Sequence, residues 1–322
     1  MPKIEGKNVL VTGGAGFIGS HLCDEILARG ANKVVCVDNF FLGKMENIAE
    51  AMKHENFVLY RDDCRQFGVM QSVIEKEEIE VVFNMATIAL NYSFFNPFDA
   101  YMVNVQIANT LLELLKVGAY KTLIHTSSSE AYGTAQYSPM DENHPTDPTT
   151  PYAAGKAAAD MMAHSFSKVL DLDISIIRPF NNYGPRQNAE GPLAGIIPVT
   201  AKRIKNGGRP MINGDGEQTR DFIYVKDTVR GLLLAYEKEK SRGKIINLGS
   251  GKDMTMNSLL RSICDYMGYT GEWDHGEERI SDVRNLCANI DRAKVVLGFE
   301  PQMSFEIGIK ETLDWYTNNS VI

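Results

Sequence analysis

Cysteine is sparse in this 322-residue chain. The five present, Cys23, Cys36, Cys64, Cys264 and Cys287, are scattered and odd in number, and no pair has metal-ligand spacing. That pattern excludes a disulfide-stapled scaffold and implies reduced, mostly buried thiols in a cytoplasmic protein. The six histidines form no His-Glu-x-x-His or similar cluster, so no metal site is expected. Positive charge is also short. Against 41 Asp and Glu there are 33 Lys and Arg, a net charge of −8, which disfavours general attraction to nucleic acid or an anionic membrane. An anionic substrate must then be held by individual arginines. No apolar run approaches membrane-spanning length, and the opening Met1-Pro-Lys-Ile-Glu5 lacks the apolar core of a secretory leader. No internal repeat or low-complexity tract is present. What is left, 44% hydrophobic and 23% charged residues, is ordinary for a globular protein long enough for two domains.

The most informative stretch is Val9-Leu-Val-Thr-Gly-Gly-Ala-Gly-Phe-Ile-Gly-Ser-His-Leu22. A short apolar run reads as a buried strand, and Phe17, Ile18, Leu22, Ile26 and Leu27 recur with helical period. Between them, Gly13, Gly16 and Gly19 divide three tasks: a tight turn, close backbone approach to a pyrophosphate, and close packing of helix on strand. The helix start at Phe17 and Ile18 offers N–H groups and a positive dipole end to that pyrophosphate. A second apolar run, Val34 to Asp38, ends in a carboxylate about 20–25 residues past the glycines, where a ribose-binding acid belongs. Asp38 would accept bonds from both ribose hydroxyls and repel a 2′-phosphate, so the expected cofactor is NAD rather than NADP. Asn39, Asp63, Cys64 and Ala86, at or just past the ends of neighbouring strands, are expected along the same ligand. Asp63 is assigned to the adenine amine, with a solvated acidic turn as the alternative.

The first half alternates strand and helix. Strands are predicted at Phe57–Tyr60, Val81–Ala86, Thr122–Thr126 and Ile174–Ile177, and helices at Val69–Ile79, Tyr101–Val117 and Tyr152–Leu170. This alternation implies an α/β fold, a Rossmann-like doubly wound parallel sheet with helices on both faces. Past Arg178 the alternation breaks. Residues 1–178 are read as the cofactor-binding domain, with 222–248 returning to it, and 179–221 with 249–322 as a smaller α/β substrate domain. A helix at Pro198–Asn206, a turn-rich segment at Asn213–Asp221, a helix at Val225–Glu237 and a strand at Ile245–Leu248 are expected there.

Tyr152 and Lys156 stand at i and i+4 at a helix start, which places both on one face. A tyrosine is a poor base at neutral pH, but a nearby ammonium, with a positive nicotinamide, would lower its pKa. Tyr152 could then take the proton of a sugar hydroxyl that Ser128 also binds. Ser129 and Glu130 complete the expected catalytic group.

Five segments together resemble the extended short-chain dehydrogenase/reductases of the nucleotide-sugar epimerase/dehydratase type, over essentially the whole chain. They are Thr12-Gly-Gly-Ala-Gly-Phe-Ile-Gly19, Ser127-Ser-Ser-Glu-Ala-Tyr-Gly133, Tyr152-Ala-Ala-Gly-Lys156, Arg178-Pro-Phe-Asn-Asn-Tyr-Gly-Pro-Arg-Gln187 and Gly214-Asp-Gly-Glu-Gln-Thr-Arg-Asp-Phe-Ile-Tyr-Val225. The resemblance implies a nucleotide-diphosphate sugar as substrate, with Asn181, Arg220 and Arg279 contacting it and the two arginines on the diphosphate. Arg186, Arg284 and Tyr92 are further candidates. It also implies a homodimer built on the helices Tyr101–Val117 and Tyr152–Leu170, where Met161, Met162 and Phe166 leave more than one apolar face.

Members of this family first oxidise C4 of the sugar. Glu130 stands where dehydratases and decarboxylases carry glutamate and 4-epimerases typically have a small or neutral residue. Ser128-Ser-Glu130 is closest to the Thr-Ser-Glu of GDP-mannose 4,6-dehydratase. Segments Thr87–Phe94 and Thr126–Ala135 resemble nucleotide-GlcNAc 4,6-dehydratases, whereas Asn91-Tyr92 resembles the decarboxylases. The expectation is therefore a 4,6-dehydratase, with a 4-epimerase and a UDP-glucuronate decarboxylase as alternatives. A non-catalytic NAD-binding protein would be expected to have lost Tyr152 or Lys156, and both are present.

Overall fold

A computed structural model describes residues 2–278 and 283–319. Its first half runs β1 (Asn8–Thr12), α1 (Phe17–Ala28), β2 (Lys33–Asp38), β3 (Phe57–Arg61), α2 (Phe67–Lys76), β4 (Val81–Asn84), α3 (Pro97–Lys116), β5 (Thr122–Thr126), α4 (Pro151–Leu170) and β6 (Ile174–Pro179). Then follow β7 (Asn181–Tyr183), α5 (Ile196–Lys205), β8 (Met211–Asn213), β9 (Thr219–Tyr224), α6 (Val225–Glu237) and β10 (Ile245–Leu248). The last part holds β11 (Asp253–Thr255), α7 (Met256–Met267), β12 (Asp274–Gly276), β13 (Asn285–Leu286), α8 (Asp291–Leu297) and α9 (Phe305–Asn318).

Seven strands make one sheet in the order β10-β6-β5-β4-β1-β2-β3, and every neighbouring pair is parallel. Such a sheet is covered on both faces, and its strands are accordingly apolar on both sides. Val9 and Val11 face one core with Val34, Cys36, Val81 and Phe83, while Leu10 faces the other with Val35, Val37 and Val82. Leu22 and Ile26 of α1 and Leu232 and Leu233 of α6 cover the first face. Met70 of α2, Leu111 and Leu115 of α3 and Ala163 of α4 cover the second. This is the Rossmann-like doubly wound fold that the alternation implies.

Helix starts are set by caps. The α3 helix begins at Pro97 rather than near Tyr101, because Asn96 Oδ1 accepts from Asp99 N–H at 3.2 Å and proline suits the first helical position. Thr150 caps α4 in the same way, on Ala153 N–H at 3.2 Å, with Pro151 following. The two helices pack so closely that a Cβ on Gly155 would stand 2.5 Å from the Tyr101 carbonyl oxygen. Of the three apolar residues noted on α4, Met162 and Phe166 pack into the core and Met161 is exposed.

A second, small sheet joins β7, β11 and β13 to β9. A boundary between 221 and 222 therefore falls inside a strand; α6 then covers the large sheet and the chain rejoins it at β10. Ile290, Ala293, Leu297 and Phe299 also pack with α1 and α6 against that sheet, so the segment from Ile290 to Phe299 joins the first core rather than the second part. All five cysteines are free and buried. Among the described residues no helix is long and apolar enough to cross a membrane.

Candidate active site

Strand order reverses on either side of β1, and open α/β sheets bind ligands at the carboxyl ends of the strands beside such a point. A cavity of about 760 Å³ lies there. Gly13 forms the turn after β1 with φ +66°, and a Cβ on it would stand 2.8 Å from the backbone of Ala86. A Cβ on Gly19 would be 2.2 Å from the Gly13 carbonyl oxygen, so α1 could not sit so near the turn with any other residue. Gly16 is the N-cap of α1 and supplies no side-chain cap. The first N–H groups of α1 accordingly meet the cavity along Gly16, Phe17, Ile18 and Gly19, as anion binding requires.

Asp38 lines the same cavity, 6% exposed. Its Oδ2 accepts from Ala15 N–H at 2.9 Å and its Oδ1 from Phe40 N–H at 2.8 Å. Burial raises its pKa, and these backbone donors oppose the rise. Asn39, Cys64 and Ala86 also line the wall. The Cys64 thiol is buried, with Sγ 3.7 Å from the Val37 carbonyl oxygen, and contributes packing rather than charge. Asp63 is on the wall too, but it is no solvated turn. Burial would raise its carboxyl, yet the Arg65 guanidinium, at 2.6 Å, holds it below the ordinary value. A glycine turn with close backbone, an uncapped helix start and a buried carboxylate at the next strand end together fit a dinucleotide.

The chemistry lies at the ends of β4 and β5. Ser128 caps a short 3-10 turn, Ser129–Tyr132, its Oγ accepting from Glu130 N–H at 3.2 Å. Gly133 closes the turn at φ +70°, where a Cβ would stand 1.8 Å from the Asp147 carbonyl oxygen. Ser128, Ser129 and Glu130 all line the cavity, facing Tyr152 and Lys156 in the first two turns of α4. The Tyr152 backbone N–H donates to Ser93 Oγ at 3.0 Å. Its phenol is hydrogen-bonded by Ser128 and Thr87.

The expectation is of a phenol lowered by a nearby ammonium together with a positive nicotinamide. In the structure the ammonium donates to the Thr126 carbonyl at 2.9 Å, and the phenol is pushed up to about 12. Burial is the main cause, the bond from Ser128 opposes it and the Glu130 charge adds to it. Burial in turn lowers Lys156 from its ordinary 10.5 to about 8, against the pull of Asp160.

The substrate candidates separate. Asn181 lines the cavity, and its Nδ2 is buried with no hydrogen-bond partner among the described residues. Arg186 also lines it, but donates to Asp24 on α1 at 2.7 Å. Arg220, on β9, lies off the wall and donates to the Thr219 carbonyl at 2.8 Å. Arg284 forms a two-point pair with Asp215, at 2.9 and 3.0 Å, and holds that carboxyl at about 2. Arg279 lies outside the described residues. Tyr92 stacks edge-on against Phe41 with ring centres 5.3 Å apart, and its neighbour Asn91 takes the place on the cavity wall. Sequence reasoning missed Thr87, Ser93 and the wall residue Trp315. The first two lie in a loop with no periodicity, and Trp315 arrives from the last helix.

The fold and site together define a dinucleotide-dependent enzyme with a Ser-Tyr-Lys group at the strand ends. The family model for GDP-mannose 4,6 dehydratase matches residues 10–312. The UDP-glucose 4-epimerase of Mycolicibacterium smegmatis is 34% identical over 97% of this chain and 99% of its own. The UDP-glucose 4-epimerase of Thermotoga maritima, solved with UDP-glucose, is 33% identical with a TM-score of 0.91, covering 97% of this chain and 99% of its own. The dTDP-glucose 4,6-dehydratase DesIV of Streptomyces venezuelae, solved with NAD and TYD bound, is 28% identical with a TM-score of 0.92 and covers 98% of each chain. The chain belongs to the extended short-chain dehydrogenase/reductase family of NAD-dependent nucleotide-sugar dehydratases and epimerases.

Proposed function

We propose that this protein is an NAD-dependent nucleotide-sugar 4,6-dehydratase. The observation that carries the reading is the carboxylate of Glu130, on the same cavity wall as Ser128 and near enough to Tyr152 for its charge to raise the phenol. An epimerase needs one acid–base group at the sugar, and a dehydratase needs a second. NAD, when bound, supplies a positive nicotinamide ring that accepts a hydride from C4 and returns it to the sugar. Gly13, Gly16, Phe17, Ile18, Gly19, Asp38, Asn39 and Asp63 are the residues that would hold it.

Ser128 and Tyr152 bind the C4 hydroxyl, and the phenol oxygen takes its proton as C4 becomes a ketone. The Lys156 ammonium, one turn along the same helix, and the positive nicotinamide when bound would together stabilise the resulting phenolate on the buried wall. Glu130 then removes the C5 proton, which the ketone acidifies, and delivers it to the C6 hydroxyl, which leaves as water; return of the hydride to C6 is matched by a proton to C5, equivalent to the one that Tyr152 took from the C4 hydroxyl. The net change is loss of one water with no net oxidation. Asn181, whose Nδ2 has no hydrogen-bond partner among the described residues, is assigned to the nucleotide-diphosphate sugar; on the family resemblance alone, Arg220 and Arg279 are assigned to its diphosphate. A homodimer through α3 and α4 is proposed on the same resemblance, with Met161, 62% exposed, at the interface.

A second reading, 4-epimerisation, is favoured by the two epimerases named above. Glu130 would then be a hydrogen-bond acceptor only. The test is mass spectrometry of products after incubation with UDP-, GDP-, CDP- and dTDP-sugars. Loss of one water supports the dehydratase. An unchanged mass with a new chromatographic peak selects the epimerase, and loss of CO₂ from a uronic acid selects a decarboxylase. Glu130→Gln separates the steps: reduced cofactor should accumulate on the protein while dehydrated product is absent. Unchanged product formation would remove Glu130 from the mechanism.

A further inference from the structure

A buried chain of polar groups runs beneath the site and takes no part in the steps above. Asp160 lies one helical turn past Lys156 on α4, so the two share a face, and it is 1% exposed. Its Oδ2 accepts from Ser127 Oγ at 2.7 Å and from Arg178 Nε at 2.8 Å. Its Oδ1 faces His125 Nε2 at 3.5 Å. From the other side, Thr12 Oγ donates to Asn84 Oδ1 at 2.8 Å, and Asn84 Nδ2 donates to His125 Nδ1 at 3.0 Å. With Nδ1 accepting there, Nε2 is the ring nitrogen that carries a hydrogen, and it faces Asp160. Thr12 Oγ also accepts from the N–H groups of Met85 and Ala86, at 3.2 Å each. The line thus passes under β1, β4 and β5 from the glycine turn to the catalytic helix, and each member is buried.

A carboxylate so deep is retained only where partners compensate its lost hydration. Arg178 is one such partner. The other cation within its influence is Lys156, whose positive charge Asp160 supports against burial. Ser127, the second donor to Asp160, immediately precedes Ser128. We propose that Asp160 is a positioning residue for the reaction: it keeps the Lys156 ammonium charged at the buried wall and, through Ser127, fixes the strand end that presents Ser128. The inference rests on the catalytic assignment of Lys156 made above.

The titratable and charged groups around this wall are Tyr152 and Asp160 on α4, His125 on β5, Glu130 in the turn after it and Arg178 on β6. With the Asp160 charge removed, the Arg178 charge stays and Lys156 loses its anion, so the ammonium titrates at lower pH. The test is Asp160→Asn, assayed across pH with whichever of UDP-glucose, dTDP-glucose and GDP-mannose the purified protein converts. The expected result is a kcat about tenfold lower at pH 8, a KM changed less than about threefold, and a basic limb displaced by about one pH unit or more toward lower pH. A second readout uses no substrate. The wild-type thermal midpoint should contain a component that rises from about pH 8 as Lys156 loses its charge, and the variant should show it starting lower.

Because Asp160→Asn leaves Arg178 buried without its carboxylate, Asp160→Asn with Arg178→Met is made as well, and a displacement in the same direction, no larger than in the single variant, is expected in it. A folded variant with an unmoved basic limb and unmoved stability window overturns the proposal, even if kcat falls. Lys156→Met is assayed alongside. Activity retained there refutes the assignment of Lys156 itself. Activity lost there with an unmoved limb in the Asp160 variants refutes the present inference alone.

Discussion

Replacing Lys156 by methionine should make this protein more stable at neutral pH while abolishing its turnover. The side chain is 3% exposed, and burial lowers its ammonium from the ordinary 10.5 to about 8. At about 1.4 kcal/mol per pH unit, that drop represents a cost to the folded state of roughly 3 kcal/mol whenever the lysine is charged. Between about pH 8 and 10.5 the unfolded chain binds the proton that the folded chain has released. Stability therefore rises with pH across that window, and the cost is fully present below it. Methionine matches the stem in shape and carries no charge. It does leave the Thr126 carbonyl, now an acceptor at 2.9 Å, without its donor, a loss of about 1–3 kcal/mol if no water replaces it. The balance is a gain of up to roughly 2 kcal/mol at pH 7 that becomes a deficit of about 1–3 kcal/mol by pH 10.5, where the neutral amine still donates to Thr126 and only the lost bond counts. Guanidinium titrations at pH 7 and at pH 10.5, on both proteins, measure it. A variant that is less stable than the parent at pH 7, or a difference that does not change with pH, would refute the claim that this charge is held at a cost for the sake of the chemistry.

Tyr152→Phe should lower kcat by about 10²–10⁴-fold, the usual contribution of a positioned acid–base group, with the thermal midpoint nearly unchanged because the ring keeps its packing. Normal turnover in that variant would eliminate the proton transfer proposed for the phenol. Asp38→Ala should weaken NAD binding about 10–100-fold, the range for hydrogen bonds to a charged acceptor. Trp315, on the cavity wall, provides the fluorescence signal for that titration, and an unaltered affinity would remove Asp38 from the cofactor.

Much of the fold is local and could be read from the chain alone. The strands Thr122–Thr126 and Ile245–Leu248 and the helix Val225–Glu237 stand where their apolar patterns put them. The glycine turn was legible because its requirements are local sterics: a positive φ at Gly13, and no room for a side chain at Gly19. Tyr152 and Lys156 were legible as a pair because helical period alone brings i and i+4 together. Where a boundary was misplaced, as at the start of α3, a proline that ends one pattern turned out to open the next, a choice made by the Asn96 cap.

Partners contributed by distant parts of the chain were decided only on folding. Arg186 reads in sequence as a further substrate candidate, and its guanidinium donates to Asp24, 162 positions away, because the segment after β7 meets α1. Ser93 and Thr87 hold Tyr152 from a loop that carries no periodic signal. The burial that pushes the phenol up and the ammonium down arises from packing α4 against the sheet. Residue types and their spacing are properties of the sequence, so motif and helix face can be read from it. Dielectric surroundings and long-range pairing depend on the three-dimensional arrangement, and those set how each group in the site titrates and what it is free to bind.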